Sequence, residues 1–332
     1  MVIILTGINH KYTENIPRIL DNSIQSIGNT PLINLSEFSL HSKVKIYAKL
    51  ESINPTGSIK DRAAKSLILD AEKSGLLRPG GTILEPTSGN TGLGIAMIGK
   101  QRGYKVKVVM PANVPPERIQ LLEAFGAEVI FSAADKGTNE SILLAKEISK
   151  DNPDYYMPYQ YGNESNPKAH YLTTGPEIIR DLPNVNVFIA GLGTGGTLMG
   201  VGRSLKEYDP KIKIVATAPH PDDKVQGLRA IEDGYIPPIL DLNSLDARIL
   251  IEAEEAFYWT RKLLTDAGIF VGVSSGATFA TAIKLTEKLS KNNLESNIVV
   301  IFADGGWKYL STGIYAENYT FKQSEIEGKT WW

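Results

Sequence analysis

Cysteine is absent from the 332-residue sequence, which excludes disulfides, thiolate nucleophiles and cysteine-ligated metal sites. Histidine is nearly absent too: His10, His41, His170 and His220 lie far apart. A His-based zinc site or a Ser-His-Asp triad would need the fold to bring one of them into place, and no metal site is expected. With five methionines, sulfur use is low throughout. There is no excess of either charge, the formal net charge being −2, so the electrostatic footprint of a nucleic-acid binder is missing. No run approaches the ~18 apolar residues of a membrane span. The opening Met1–Leu5 is apolar for only a few residues, with neither a basic leader nor a small-residue cleavage site. A cytoplasmic protein with no membrane association is the expectation.

What is present is an ordinary globular balance, 42% hydrophobic and 22% charged, on a chain long enough for two domains. Short apolar runs rich in β-branched residues fall at 44–50, 82–85, 105–110, 128–132, 187–190, 213–217 and 297–303. Helical patterns occupy 59–73, 92–101, 116–124, 139–150, 174–182, 196–206, 253–267 and 276–289. This alternation predicts an α/β fold of parallel sheets covered by helices on both faces. The units lie before and after a Pro-, Asn- and Tyr-rich segment, 151–167, that reads as a connection.

Four stretches carry chemistry. In Asn54-Pro55-Thr56-Gly57-Ser58-Ile59-Lys60-Asp61-Arg62 a lysine sits at the first turn of a helix. Alone, Lys60 reads as a solvated surface residue, but a helix N-terminus disfavours an ammonium, and a deprotonated lysine attacks aldehydes. Glu85-Pro86-Thr87-Ser88-Gly89-Asn90-Thr91-Gly92 lies between a strand and a helix. It reads either as a plain βα turn or as an amide-lined site for a carboxylate. Gly191-Leu192-Gly193-Thr194-Gly195-Gly196-Thr197 follows a strand and opens a helix, and its glycines let backbone amides close on a phosphate. It also satisfies a dinucleotide fingerprint. That reading needs an acidic residue at the end of the next strand, where the chain has Val215-Ala216-Thr217-Ala218-Pro219, so a single phosphate fits better. Gly272-Val273-Ser274-Ser275-Gly276 is, read plainly, a helix cap.

Taken together, from Ile27-Gly28-Asn29-Thr30-Pro31-Leu32 to Asp304-Gly305-Gly306-Trp307-Lys308-Tyr309, these motifs resemble the fold-type II pyridoxal phosphate (PLP) enzymes of the cysteine synthase and cystathionine β-synthase branch. The resemblance implies two α/β domains like those of the tryptophan synthase β-subunit, with the active site in the cleft between them. The smaller domain is expected at 44–157 and the larger at 1–43 plus 158–322, with 323–332 as a tail. It implies pyridoxal 5′-phosphate held as a Schiff base on Lys60, its phenolic oxygen contacted by Asn90 and its phosphate by Gly193, Thr194, Gly195, Gly196 and Thr197. Ser274 then bonds the pyridine nitrogen, and Thr87, Ser88, Gly89 and Thr91, with Gln160, receive the substrate carboxylate. Lys60 becomes the general base, and a β-substituent on an activated serine is replaced by sulfur to give cysteine. A homodimer is implied as well.

The region Gln226-Gly227-Leu228-Arg229-Ala230-Ile231-Glu232-Asp233-Gly234 is similar to the subgroup that prefers O-phosphoserine over O-acetylserine. There an arginine at the Arg229 position faces the substrate phosphate, which a guanidinium matches bidentately. In that subgroup a tail like the one ending in Trp331-Trp332 folds over the active site. Its sulfur comes from sulfide or from a small carrier protein bearing a C-terminal thiocarboxylate. An O-acetylserine sulfhydrylase using sulfide is the alternative. A serine or threonine dehydratase is disfavoured because Lys60-Asp61-Arg62 and Asn90-Thr91 stand where those relatives have Lys-Arg-Gly and His. Cystathionine β-synthase is disfavoured because no regulatory module follows residue 320 and no Cys-His pair is available for haem. A non-catalytic binding partner on the same scaffold is disfavoured by the intact lysine and phosphate loop.

Overall fold

The apolar runs become strands whose two faces are both covered, as expected of parallel sheets. The computed structural model describes residues 19–332 apart from 88, 135, 222, 292–294, 317–326 and 331–332. Its strands are β1 (Leu32–Asn34), β2 (Val44–Leu50), β3 (Thr82–Pro86), β4 (Lys105–Pro111), β5 (Glu128–Ser132), β6 (Tyr155–Tyr156), β7 (Val187–Gly191), β8 (Lys213–Pro219), β9 (Ala247–Ile251), β10 (Ser296–Phe302) and β11 (Glu327–Thr330). The helices are α1 (Lys60–Lys73), α2 (Asn90–Gln101), α3 (Pro116–Ala124), α4 (Gly137–Asp151), α5 (Ser165–Leu172), α6 (Thr174–Asp181), α7 (Gly196–Tyr208), α8 (Ala253–Ala267) and α9 (Val273–Lys291).

Two sheets form. The larger runs β1-β2-β10-β7-β8-β9-β11 and the smaller β5-β4-β3-β6. Every pairing is parallel except β1 with β2 and β11 with β9. Alternate residues of one strand feed different cores. Val187 and Ile189 pack with α8 and α9, whereas Phe188 and Ala190 pack with α6 and α7. In the smaller sheet Ile83 and Val108 meet α1 and α2, and Leu84 and Val109 meet α4. Among the described residues no helix is long and apolar enough to cross a membrane.

Three features depart from the expected layout. Strand β2, grouped in sequence with the smaller unit, hydrogen-bonds between β1 and β10 in the larger sheet. Its apolar pattern specifies a strand buried on two faces, and such a pattern does not say which sheet it joins. The segment 151–167 is more than a connection, since it contains β6 and the start of α5. The tail residues 327–330 form β11 on the edge of the larger sheet. Thr330 pairs with Ala247 at the amino end of β9, so the strand runs away from the carboxyl ends that face the cleft. Trp331 and Trp332 lie outside the described residues.

A buried ion network ties α1 to the larger unit. Arg62 donates from Nε to Glu51 at 2.8 Å and from Nη1 to Glu177 at 2.6 Å, and Lys49 Nζ reaches Glu177 at 2.8 Å. Burial pushes Glu177 up, but Arg62 and Lys49 outweigh it and hold the carboxyl down at about 2. Replacing Arg62 with methionine leaves two carboxylates buried without their fork-shaped partner. The expected loss is about 3–5 kcal/mol in urea unfolding; a loss below 1 kcal/mol would show that the network is not structural.

Candidate active site

The cleft lies at the carboxyl ends of β3, β7 and β10, where open α/β sheets bind ligands, and Lys60 lines it. The loop before Lys60 is closed on itself. Thr56 donates its N–H to Asp61 at 2.7 Å and its hydroxyl to the same carboxylate. The Lys60 N–H bonds Ser58 Oγ at 3.1 Å, and the Ile59 N–H reaches the Ala303 carbonyl at 2.8 Å. The Ser-x-Lys-Asp-Arg motif is thus a local device that ties a lysine to the end of β10. Burial lowers the Lys60 amine to about 8, with Asp304 opposing.

Gly57 in this loop has φ +74°, and a Cβ there would fall 2.2 Å from Trp307 Cζ2. Gly57→Ala is therefore expected to displace the indole and cost about 1–3 kcal/mol, read as a lowered melting temperature; an unchanged one would contradict the packing described.

Asn90 opens α2 and lines the cleft. Its Nδ2 donates to Asp304 Oδ2 at 2.6 Å and its Oδ1 accepts from Lys308 Nζ at 2.8 Å. Thr87, Thr91 and Gln160 line the cleft beside it. Thr91 Oγ1 donates to Gln160 Oε1 at 2.6 Å, and the Gly89 N–H is held by Thr87 Oγ1 at 3.2 Å, behind the wall. Ser88 falls outside the described residues. Gln160 is presented by a turn in which Tyr159 has φ +55°. That turn is anchored by Glu85, which accepts the N–H groups of Tyr159 and Gln160 at 2.7 and 3.0 Å. Burial pushes the Glu85 carboxyl up to about 8.

The glycine loop supplies Gly193, Thr194, Gly195 and Thr197 to the wall. Gly196 sits behind it: a Cβ there would come 2.1 Å from Asn166 Oδ1. Beneath the loop, His170 Nδ1 lies 3.0 Å from Thr174 Oγ1 and Nε2 lies 3.4 Å from Thr197 Oγ1. Burial keeps this imidazole well below its ordinary range and so neutral. Ser274, in the first turn of α9, completes the floor.

Arg229 also lines the cleft. Its guanidinium lies over the Tyr235 and Tyr161 rings at 4.9 and 5.6 Å and donates to Asn139 Oδ1 at 2.9 Å. Two further residues at the site were not singled out by motif reasoning. Arg118 of α3 lines the cleft and stacks on Tyr309 at 4.9 Å, and no local pattern marks it. Asp304 is buried and accepts from Asn90 and Tyr309; its place directly after β10 was the available signal.

The donor set suits an anionic cofactor. Among the described residues lining the cleft there is no Asp or Glu, while Lys60, Arg118 and Arg229 are cationic. Hydroxyls and the amide-rich start of α7 add neutral donors for a phosphate, and a desolvated amine faces them. These residues fit PLP.

Comparisons with known proteins agree with this fit. Residues 24–304 match the family described as Pyridoxal-phosphate dependent enzyme. Cysteine synthase of Aquifex aeolicus is 42% identical over 300 residues, covering 89% of this chain and 92% of that protein. Cysteine synthase A of Escherichia coli is 42% identical over 323 residues, covering 91% and 97%. The crystal structure of cysteine synthase from Entamoeba histolytica superposes with a TM-score of 0.85 at 34% identity, covering 94% of this chain and 95% of that one.

Proposed function

The chain belongs to the pyridoxal-phosphate dependent enzymes, as a member of the cysteine synthase family, and we propose that it makes L-cysteine from O-phospho-L-serine by β-replacement. The cofactor, when bound, supplies the electron sink for charge developing at the substrate Cα. Everything else is asked of the chain.

Lys60 is the residue that would hold the cofactor aldehyde. With cofactor and substrate bound, its Nζ would take the proton from the substrate Cα. Burial lowers this amine, which favours the neutral form that a base requires. Gly193, Thr194, Gly195 and Thr197 would hold the phosphate, Asn90 the phenolic oxygen and Ser274 the pyridine nitrogen. A serine hydroxyl does not stabilise a full pyridinium as a carboxylate would, which favours loss of the β-substituent over transamination. Thr87, Thr91 and Gln160 would orient the substrate carboxylate, Thr91 and Gln160 being already joined at 2.6 Å, whereas Gly89 lies behind them with its N–H held by Thr87.

The observation that carries the phosphate ester is Arg229, a cleft-lining guanidinium held over two tyrosine rings. A dianionic β-substituent gains a bidentate partner there, and a neutral acetyl ester does not. Sulfide, or the thiocarboxylate of a small carrier protein, is the proposed sulfur donor, and a cytoplasmic homodimer the proposed form. Steady-state rates with O-phosphoserine and O-acetylserine, each with sulfide, test the reading. A higher kcat/KM for the phosphate ester is expected; a clear preference for the acetyl ester would overturn the role of Arg229 and favour an O-acetylserine sulfhydrylase.

A further inference from the structure

Lys308 is fully buried, at 0% exposure, yet has no part in the chemistry above. Keeping a lysine out of water is costly unless its ammonium is well partnered. Its Nζ donates to Asn90 Oδ1 at 2.8 Å and to the Gly57 carbonyl at 3.1 Å. One partner is thus the cleft-lining amide, and the other belongs to the loop that leads into Lys60. On the opposite side of the amide, Asn90 Nδ2 donates to Asp304 Oδ2 at 2.6 Å, and Tyr309 donates to the same oxygen at 2.6 Å. The charges facing Lys308 are Asp304, Asp61 and Arg118.

An amide between these two groups has one acceptable orientation. An ammonium only donates and a carboxylate only accepts. Turning the amide over would set an NH2 against the ammonium and an oxygen against the carboxylate, replacing two charge-assisted hydrogen bonds with two repulsions. We propose that Lys308 is a positioning residue: with Asp304 it locks the Asn90 amide so that the second N–H of Nδ2 is always the group left for the cofactor. Burial lowers the Lys308 amine to about 8, so near neutral pH it is still chiefly the donor that this lock requires.

The inference rests on the reading that Asn90 donates to the cofactor's phenolic oxygen. Such donation favours the ionised, visible-absorbing form of the bound cofactor over the near-ultraviolet form. The test is the absorbance spectrum of the PLP-loaded protein at fixed pH. Asn90→Ala is expected to lower the visible to near-ultraviolet ratio by about fivefold, the effect of one hydrogen bond. Lys308→Met should lower it similarly, Lys308→Arg should restore it, and the double variant N90A/K308M should show no further loss. If Asn90→Ala leaves the ratio unchanged, the reading of Asn90 fails and the inference with it. If Asn90→Ala lowers the ratio while Lys308→Met keeps the wild-type value, or if the two effects add in full, the inference alone is overturned. Should the methionine variant not fold, Lys308→Gln serves in its place. Its amide can present either an N–H or an oxygen to Asn90, so both spectral forms are expected, and a wild-type spectrum would overturn the proposal.

Discussion

Lys60→Ala is expected to abolish cysteine synthesis together with the visible absorbance that PLP shows when bound to a lysine. Loss of a positioned general base alone costs roughly 10²–10⁴-fold, and here the same substitution removes the covalent hold on the cofactor. The fold should survive, because Lys60 only opens α1 and alanine is the best helix former. The cofactor-free variant is expected to be no less stable than the cofactor-free wild type at pH 7. The sign follows from the lowered amine: the folded chain binds the Lys60 proton less tightly than the unfolded one, with a value of about 8 against 10.5. The penalty for burying that proton is fully present below about pH 8 and fades as pH rises toward 10.5. Urea unfolding of the two cofactor-free proteins should therefore show any advantage of the variant shrinking across that window. An advantage that instead grows with pH would contradict the burial of the amine.

Arg229→Met is expected to lower kcat/KM for O-phosphoserine by about 30- to several-thousand-fold, the range for stranding a charged group whose partner is removed, at about 2–5 kcal/mol. The rate with O-acetylserine should change little, so the variant alters specificity more than competence. Lysine at this position keeps the charge and loses both the planar fork and the stack over Tyr235 and Tyr161. Arg229→Lys should therefore recover only part of the loss. Equal losses on both esters would mean that Arg229 supports the cleft wall without reading the β-substituent.

Much of this architecture was legible because the signals were local. The strands β5 and β10 and the helices α3 and α8 follow apolar periods and caps that need only their own residues. Lys60 stood out only as part of the family motif, since alone it reads as a solvated surface lysine; Thr56, Ser58 and Asp61 close its loop within six residues of chain. What escaped depends on distant contacts. Strand β9 is as long as β5, but it is held by β8 and β11 on either side. Gln160 was named, but its anchoring by Glu85, 75 residues earlier in the chain, was not, nor was the meeting of Lys308 with Asn90 across 218 residues. Arg118 sits in the short helix α3, and the packing of α3 beside the 306–312 turn brings it to Tyr309. A single sequence records such pairings only as isolated residues.

Every role assigned in the cleft depends on one bond between Lys60 and the cofactor. Borohydride reduction of the PLP-loaded protein, followed by digestion and mass spectrometry, tests it directly. The pyridoxyl mass should appear on the peptide containing Lys60 and be absent from the Lys60→Ala protein. Recovery of the label on another lysine, such as Lys308, or on none, would contradict it.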